Sequence, residues 1–260
     1  MQAKSNLIEL VQNGFSTREI ANMLGVGKST VHRWCQENNI ILSGRVEQLL
    51  SKRCTKIRDS LFHAPLDEKH SWLLGIIATD GCVEDGGRLT ICNEDIDVIK
   101  LSHSIIGMRS IRCLSPRPPK TTAVLYNHIV NSRILCNRLN LLGIVPRKTK
   151  TIQFPQPEKL SLPDYVRGLW DGDGCWSIDK RDRKLISSFG SASLQFIKVL
   201  ASTLQLVTSS KAQVRQRGDK YFWVLSYYGT KAISLANWLY ENAGMYANQR
   251  KKSIVSPFLR

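Results

Sequence analysis

Two apolar runs at helical spacing end in the same way. WLLGIIATDG covers residues 72–81 and YVRGLWDGDG covers residues 165–174, each closed by Asp-Gly. Read as helices, they place Gly75 with Thr79, and Gly168 with Gly172, one turn apart on a single face. Two faces built from such small residues can meet with their backbones unusually close. Asp80 and Asp173 then end the two helices side by side, where the negative ends of two helix dipoles meet and two carboxylates repel each other. A divalent cation between them would offset that cost. Asp-Gly after an apolar helix is also an ordinary stop, because glycine tolerates the left-handed conformation; its recurrence in the same register points beyond that reading.

The pattern that follows each run is shared as well. Residues 86–92 (GGRLTIC) read as a strand, 94–107 as a helix, 109–115 and 121–130 as strands, and 131–144 as a helix. After the second run, 175–189 reads as a hairpin, 193–206 as a helix, 211–217 and 221–228 as strands, and 231–245 as a helix. Both halves follow the order helix, two strands, helix, two strands, helix, so the repeat extends well past the motif. Within KAQVRQR, Lys211, Gln213, Arg215 and Arg217 fall on one face by the period of two, with Ala212 and Val214 facing inward. Arg88, Thr90, Arg109, Arg112, Arg181, Arg183 and Lys184 stand in or beside strands. Each half is expected to present an antiparallel sheet with a polar, basic outer face suited to phosphates and base edges and an inner face packed on helices. Each half closes on a basic cluster, PRKTK at 146–150 and QRKKS at 249–253.

Ahead of the repeats, residues 6–12 have helical spacing and Asn13-Gly14 ends them. In STREIANMLGVGKSTVHRWCQENN, Ser16 or Thr17 caps one helix, Gly25 makes a tight turn and a second helix begins near Gly27 or Lys28. Ala21 at the crossing, Gly25 in the turn and Val31 inside the second helix are what a helix-turn-helix requires. Residues 6–40 resemble the helix-turn-helix of resolvase-like and transposase-like proteins. Its second helix would offer Lys28, Ser29, Thr30, His32 and Arg33 to a major groove. Residues 42–65 are basic, lack a strong apolar period and read as a linker.

Composition changes this picture in one respect. The 260 residues are 42% apolar and 8% aromatic, as in a globular chain, but 37 Lys and Arg against 21 Asp and Glu leave a net charge of +16. The surplus is spread over the N-terminal segment and both halves, so every part is expected to approach one polyanion, with nucleic acid the first candidate. Seven scattered cysteines form no CxxC or Cys/His zinc spacing and read as reduced thiols. No apolar run has membrane-spanning length and the N-terminus has no signal-peptide core. A cytoplasmic or otherwise intracellular protein is expected, with no membrane partner and no small-molecule substrate.

The paired motif resembles that of the LAGLIDADG homing endonucleases, over roughly residues 66–260. Aligned to the nine-letter name, the copies read LLGIIATDG and VRGLWDGDG. Both keep the central Gly and the terminal Asp-Gly; the earlier acid is Asp171 in the second copy and Ala78 in the first. The resemblance implies an α+β fold: an all-α helix-turn-helix domain at 1–41, a basic linker at 42–65, and pseudo-symmetric αββαββα repeats at 66–154 and 155–260 with DNA-binding antiparallel sheets. It implies site-specific cleavage of double-stranded DNA at a long target by a single monomeric chain of phage, bacterial or organellar origin. Asp80 and Asp173 would hold Mg2+, with Mn2+ as a substitute, and carry the catalysis. Magnesium keeps several waters, so two carboxylates and phosphate oxygens suffice. A lysine near the end of each repeat would orient or activate water; Lys148 and Lys251 match by position, with Lys150 and Lys252 as neighbours. The rival reading keeps the fold without the cut, as a transcription regulator or an RNA-splicing maturase. Retention of both terminal acids favours the enzyme, since a pure binder gains from losing charges that repel phosphate.

Overall fold

The computed structural model describes residues 7, 10, 17–38, 61–107, 111–114, 124–218 and 221–259, with the backbone alone at Glu19 and at residues 112–114. The chain divides into two compact units, 1–56 and 57–260. Among the described residues no helix is long and apolar enough to cross a membrane.

In the first unit, helices α1 (Thr17–Leu24) and α2 (Lys28–Glu37) are joined by a turn in which Gly25 takes a φ of +62°. That left-handed conformation is why glycine stands there. Val26 N–H donates to the Ala21 carbonyl at 3.0 Å and closes the turn. Ile20, Ala21, Val31 and Cys35 form a small core with Leu7, and Leu10, Leu24, Val26 and Trp34 pack around it. This is the helix-turn-helix expected from Ala21, Gly25 and Val31. The helix expected at 6–12 lies outside the described residues except for Leu7 and Leu10, which are helical. Of the linker expected at 42–65, residues 42–60 lie outside them.

The second unit contains both repeats. The first runs α3 (Glu68–Asp80), β1 (Gly81–Glu84), β2 (Arg88–Asn93), α4 (Ile96–Ile106), β3 (Ile111–Leu114), β4 (Leu125–Asn131) and α5 (Arg133–Leu141). The second runs α6 (Leu162–Gly172), β5 (Cys175–Ile178), β6 (Leu185–Ser191), α7 (Leu194–Thr208), β7 (Gln213–Gln216), β8 (Trp223–Tyr228) and α8 (Thr230–Tyr240), followed by α9 (Gln249–Val255). The two antiparallel sheets have matching orders, β1-β2-β4-β3 and β5-β6-β8-β7. Helix starts are set by side chains that accept otherwise unpaired N–H groups: Asp67 from His70 at 3.0 Å, and Asn248 from Lys251 at 3.2 Å. The core is continuous across both repeats and is centred on α3 and α6, whose Trp72, Leu73, Leu74, Ile76, Ile77, Val166, Leu169 and Trp170 are fully buried.

The register explains why α3 and α6 end together. A Cβ built on Gly75 would lie 2.8 Å from the Gly168 Cα, and one built on Gly168 would lie 2.9 Å from the Gly75 Cα. The backbones cross at these two residues, where no side chain fits. Trp72 Nε1 ties the helices further by donating to the buried Asp171 at 2.8 Å. Gly168→Ala is expected to lower stability by about 3 kcal/mol through overpacking against backbone that cannot rotate away. Urea unfolding measures it; a loss below roughly 1 kcal/mol, the lower end of that range, would mean that the helices do not cross here.

Two expectations need correction. Of the two strands expected after the first run only one was placed, at 86–92; the other is β1, which begins at Gly81, where the chain takes an extended conformation and pairs with Ile91. The basic cluster at 249–253, for which no element was expected, lies in the helix α9, started by Asn248. Val214, expected to face inward, is 40% exposed, because β7 is an edge strand that among the described residues pairs only with β8 and is exposed along its whole length. Ala212 does pack partly against the core.

Candidate functional site

Asp80 is the last residue of α3, and Asp173 follows the last residue of α6. The ends abut: a Cβ built on Gly172 would lie 2.7 Å from Thr79 Cβ and 3.1 Å from Asp80 Oδ2. Glycine at 172 is what lets the two acids approach. Burial, then the Asp173 charge, push the Asp80 carboxyl up to about 7, against an opposing hydrogen bond from Asn93 Nδ2 at 2.7 Å. Asp173 reaches solvent, yet the protein packed around its carboxyl also raises it. Oδ1 of Asp80 has no hydrogen bond among the described residues.

Lys148 and Lys251 occupy equivalent places beneath these acids. Lys148 Nζ donates to the carbonyls of Gly81 at 2.6 Å and Thr79 at 3.5 Å, the residues on either side of Asp80. Lys251 Nζ donates to those of Gly172 at 2.6 Å and Gly174 at 2.8 Å, on either side of Asp173, and to that of Trp170 at 2.9 Å. Each ammonium thus neutralises the negative end of its own motif helix. Burial lowers both lysines, while the nearby carboxylates oppose the shift. The environments differ: all three protons of Lys251 are engaged and its side chain is buried, whereas Lys148 makes two such bonds, one of them long, and is half-buried.

Two clefts flank the helix ends, and each combines the acid of one repeat with the lysine of the other. A cleft of about 240 Å³ is lined by Asp80, Asn93, Glu94, Asp95, Asp171, Arg250 and Lys251. A second, of about 180 Å³, is lined by Asp173, Lys148, Thr149, Ser191 and the rings of Phe189, Phe196 and Phe222. Among the described residues no group of three or more His, Cys, Asp or Glu side chains is arranged to hold a metal ion.

None of the other described residues of the second unit singled out from sequence for DNA contact lines either cleft. Lys211, Gln213, Arg215 and Arg217 are all exposed, and Gln213 pairs with Ser226 and Arg215 with Val224, opposite in parity to the buried Leu225. They share the outer face as expected. Arg181, Arg183 and Lys184 are exposed in the turn between β5 and β6, where Lys184 contacts Asp182 at 2.7 Å. Arg88 is exposed on β2 and lies 3.7 Å from Glu84. Its sheet's outer face is less basic than expected, carrying Cys82, Glu84, Thr90 and Asn131. Arg112 pairs through its backbone with Asn127; its side chain, and all of Arg109, lie outside the described residues. In α2, Lys28, Ser29, His32 and Arg33 are exposed and Thr30 is half-buried. Asn93, Asp95, Asn248 and Arg250 were not anticipated. Only Arg250 carried a signal, as a member of the closing basic cluster.

A family profile for the LAGLIDADG-like domain matches residues 164–235, and one for the CENP-B N-terminal DNA-binding domain matches residues 1–43. No curated protein matches the sequence. Among solved structures, that of the homing endonuclease I-WcaI bound to its DNA recognition sequence aligns with a TM-score of 0.59 at 10% identity, covering 82% of this chain and 93% of that one. Mesophilic variants of the homing endonuclease I-DmoI align at 0.45 with 14% identity, covering 67% and 96%. I-SmaMI, a LAGLIDADG homing endonuclease bound to cleaved DNA, aligns at 0.44 with 10% identity, covering 71% and 86%. Residues 164–235 thus match the LAGLIDADG-like domain, and the chain has the α+β fold of the LAGLIDADG homing endonucleases, preceded in sequence by a helix-turn-helix.

Proposed function

We propose that this chain is a divalent-metal-dependent DNA endonuclease of the LAGLIDADG kind that, as a monomer, cuts both strands of a long target. The observation that carries the reading is the pair of acids at abutting helix ends, each with a lysine from the opposite repeat in its cleft. Buried like charges are kept together only where something else gains from them. A hard cation fits the donors: among the described residues Asp80 offers an oxygen free of hydrogen bonds, both acids are raised by burial, and there are too few ligands to hold the ion without phosphate oxygens. Asp80 and Asp173 would hold Mg2+ or Mn2+, which when bound supplies charge neutralisation at the phosphate and acidifies attacking water.

The chain's own groups do the rest. Lys148 and Lys251 fix the carbonyls beside each acid and place positive charge where the phosphate gains negative charge. Lys211, Gln213, Arg215, Arg217, Arg88, Arg181, Arg183 and Lys184 would contact backbone and base edges across the sheets. Lys28, Ser29, Thr30, His32 and Arg33 would extend the footprint from α2. Such a protein suits a mobile element that copies itself by breaking one site.

The test is incubation of the protein with a genomic duplex library in Mg2+ and in EDTA, with broken ends sequenced. Breaks in both strands at one long site, in Mg2+ only, are expected. Tight binding at one site with no break in any metal would move the assignment to a regulator.

Metal and proton should compete at Asp80. A carboxyl raised to about 7 stabilises the metal-free fold fully below the unfolded pKa near 4, and that contribution is lost as pH rises through 7. With an uncleavable duplex bound to supply phosphate oxygens, Mn2+ should therefore raise the melting temperature strongly at pH 8 and little at pH 5.5. An equal increase at both values would exclude Asp80 as a ligand.

A further inference from the structure

Among the described residues the Asp80 cleft contains a network that the Asp173 cleft lacks. Asp95 stands at the start of α4, and the second repeat takes both of its carboxylate oxygens. Arg250 Nε donates to Oδ1 at 2.9 Å and its Nη2 to Oδ2 at 2.8 Å, while Asn248 Nδ2 donates to Oδ2 at 2.6 Å. Asn248 is buried and bridges three elements. Its N–H donates to Asp171 Oδ2 at 2.9 Å, and its Oδ1 starts α9 by accepting from the Lys251 N–H at 3.2 Å. A connected path thus runs from Asp95 through Asn248 to the backbone of Lys251, whose side chain lines the Asp80 cleft.

The opposite cleft shows the same layout with weaker parts. Ser193 holds the place of Asp95 at the start of α7, and its hydroxyl donates a single bond, to the Ile152 carbonyl at 3.2 Å, in the segment that follows Lys148. Arg147, which precedes Lys148 as Arg250 precedes Lys251, is 91% exposed and comes only within 3.9 Å of Asp85. Each repeat therefore grips the lysine-bearing segment of the other, once through a neutral hydroxyl and once through a carboxylate with a bidentate arginine. The second is the stronger hold.

We propose that Asp95 is a positioning residue: through Asn248 and Arg250 it sets the Lys251 segment of the second repeat against Asp80, so that the cut made at Asp80 depends on this grip. The inference rests on the endonuclease reading above. The charge of Asp95 is already paired with the Arg250 guanidinium, and the part assigned to it is to hold Asn248 and Arg250.

Asp95→Ala, Arg250→Ala and the double variant would be compared with wild type in Mg2+ on a target duplex labelled on each strand in turn. Asp80→Asn identifies the strand cut at Asp80. Asp95→Ala is expected to slow that cut at least tenfold while the other cut and the duplex Kd stay within twofold, so that nicked duplex accumulates. The double variant should be no slower than the slower single one, and Asp95→Glu should restore part of the rate. Amides of residues 247–252 should exchange faster in Asp95→Ala than in wild type. Where Asp95→Ala fails to melt cooperatively, Asp95→Asn carries the same comparison. Equal slowing of both cuts, or no slowing of either, overturns the proposal. A wild-type chain that cuts neither strand overturns the nuclease reading and this inference with it, and the wild-type reaction alone distinguishes that case.

Discussion

Asp80→Asn should cut one strand and not the other, and it should melt at a higher temperature than wild type in EDTA. The two effects have one cause. Asp80 is raised to about 7 by burial and by Asp173, so the metal-free protein is held back by this charge near neutral pH, and an amide of the same size removes the penalty. The amide also removes a ligand, and the cut beside it should fall by roughly 10² to 10³-fold, the size seen when a group that stabilises transition-state charge is lost. Asp173→Asn should do the same to the other strand with a smaller gain in stability, since Asp173 is the more exposed acid. Strand-resolved cleavage and EDTA melting curves together decide it. A variant that loses both cuts at once, or that melts lower than wild type, would place the acid in the fold and not in the chemistry.

The lysines should separate in the opposite sense. Lys251→Met leaves two buried carbonyls and one half-buried carbonyl without their lysine donor and should lower stability by about 3 kcal/mol. Lys148→Met removes one good bond and one long one from a half-buried site, so it should lower stability by only about 1 kcal/mol. Its larger effect should be on cleavage in the Asp173 cleft, where Lys148 is the neighbouring cation. Urea midpoints measured alongside strand-resolved rates test this contrast. Equal destabilisation by the two substitutions would show that the count of carbonyl partners is not what distinguishes them.

The frame of the fold was legible because it is written as a repeat. Two apolar runs in one register, with small residues a turn apart, were enough to pair α3 with α6 at Gly75 and Gly168 and to bring Asp80 beside Asp173. Alternation in KAQVRQR put Arg215 on the outer face, but it could not reveal that β7 is an edge strand that leaves Val214 in solvent. The position of β1 was missed because it is four residues long and begins at the glycine that looked like a helix stop. Lys148 and Lys251 were selected by position, yet their bonds to the carbonyls beside each acid depend on tertiary contacts that no local pattern encodes. The same holds for Asn93, Asp95 and Asn248, whose partners come from distant segments. Asp171, the motif's earlier acid, proves to be a buried link between Trp72 and Asn248. That explains how Ala78 can replace it in the other copy, where no such link is made.

The central claim is that the paired helix ends are where metal and DNA meet. Its most direct test is a crystal of the protein with its target duplex and Mn2+, with anomalous difference density calculated at the manganese edge. The account predicts peaks in contact with the carboxylates of Asp80 and Asp173, each also touching a phosphate oxygen of the bound duplex. Duplex bound across the sheets with no manganese at either carboxylate would contradict it.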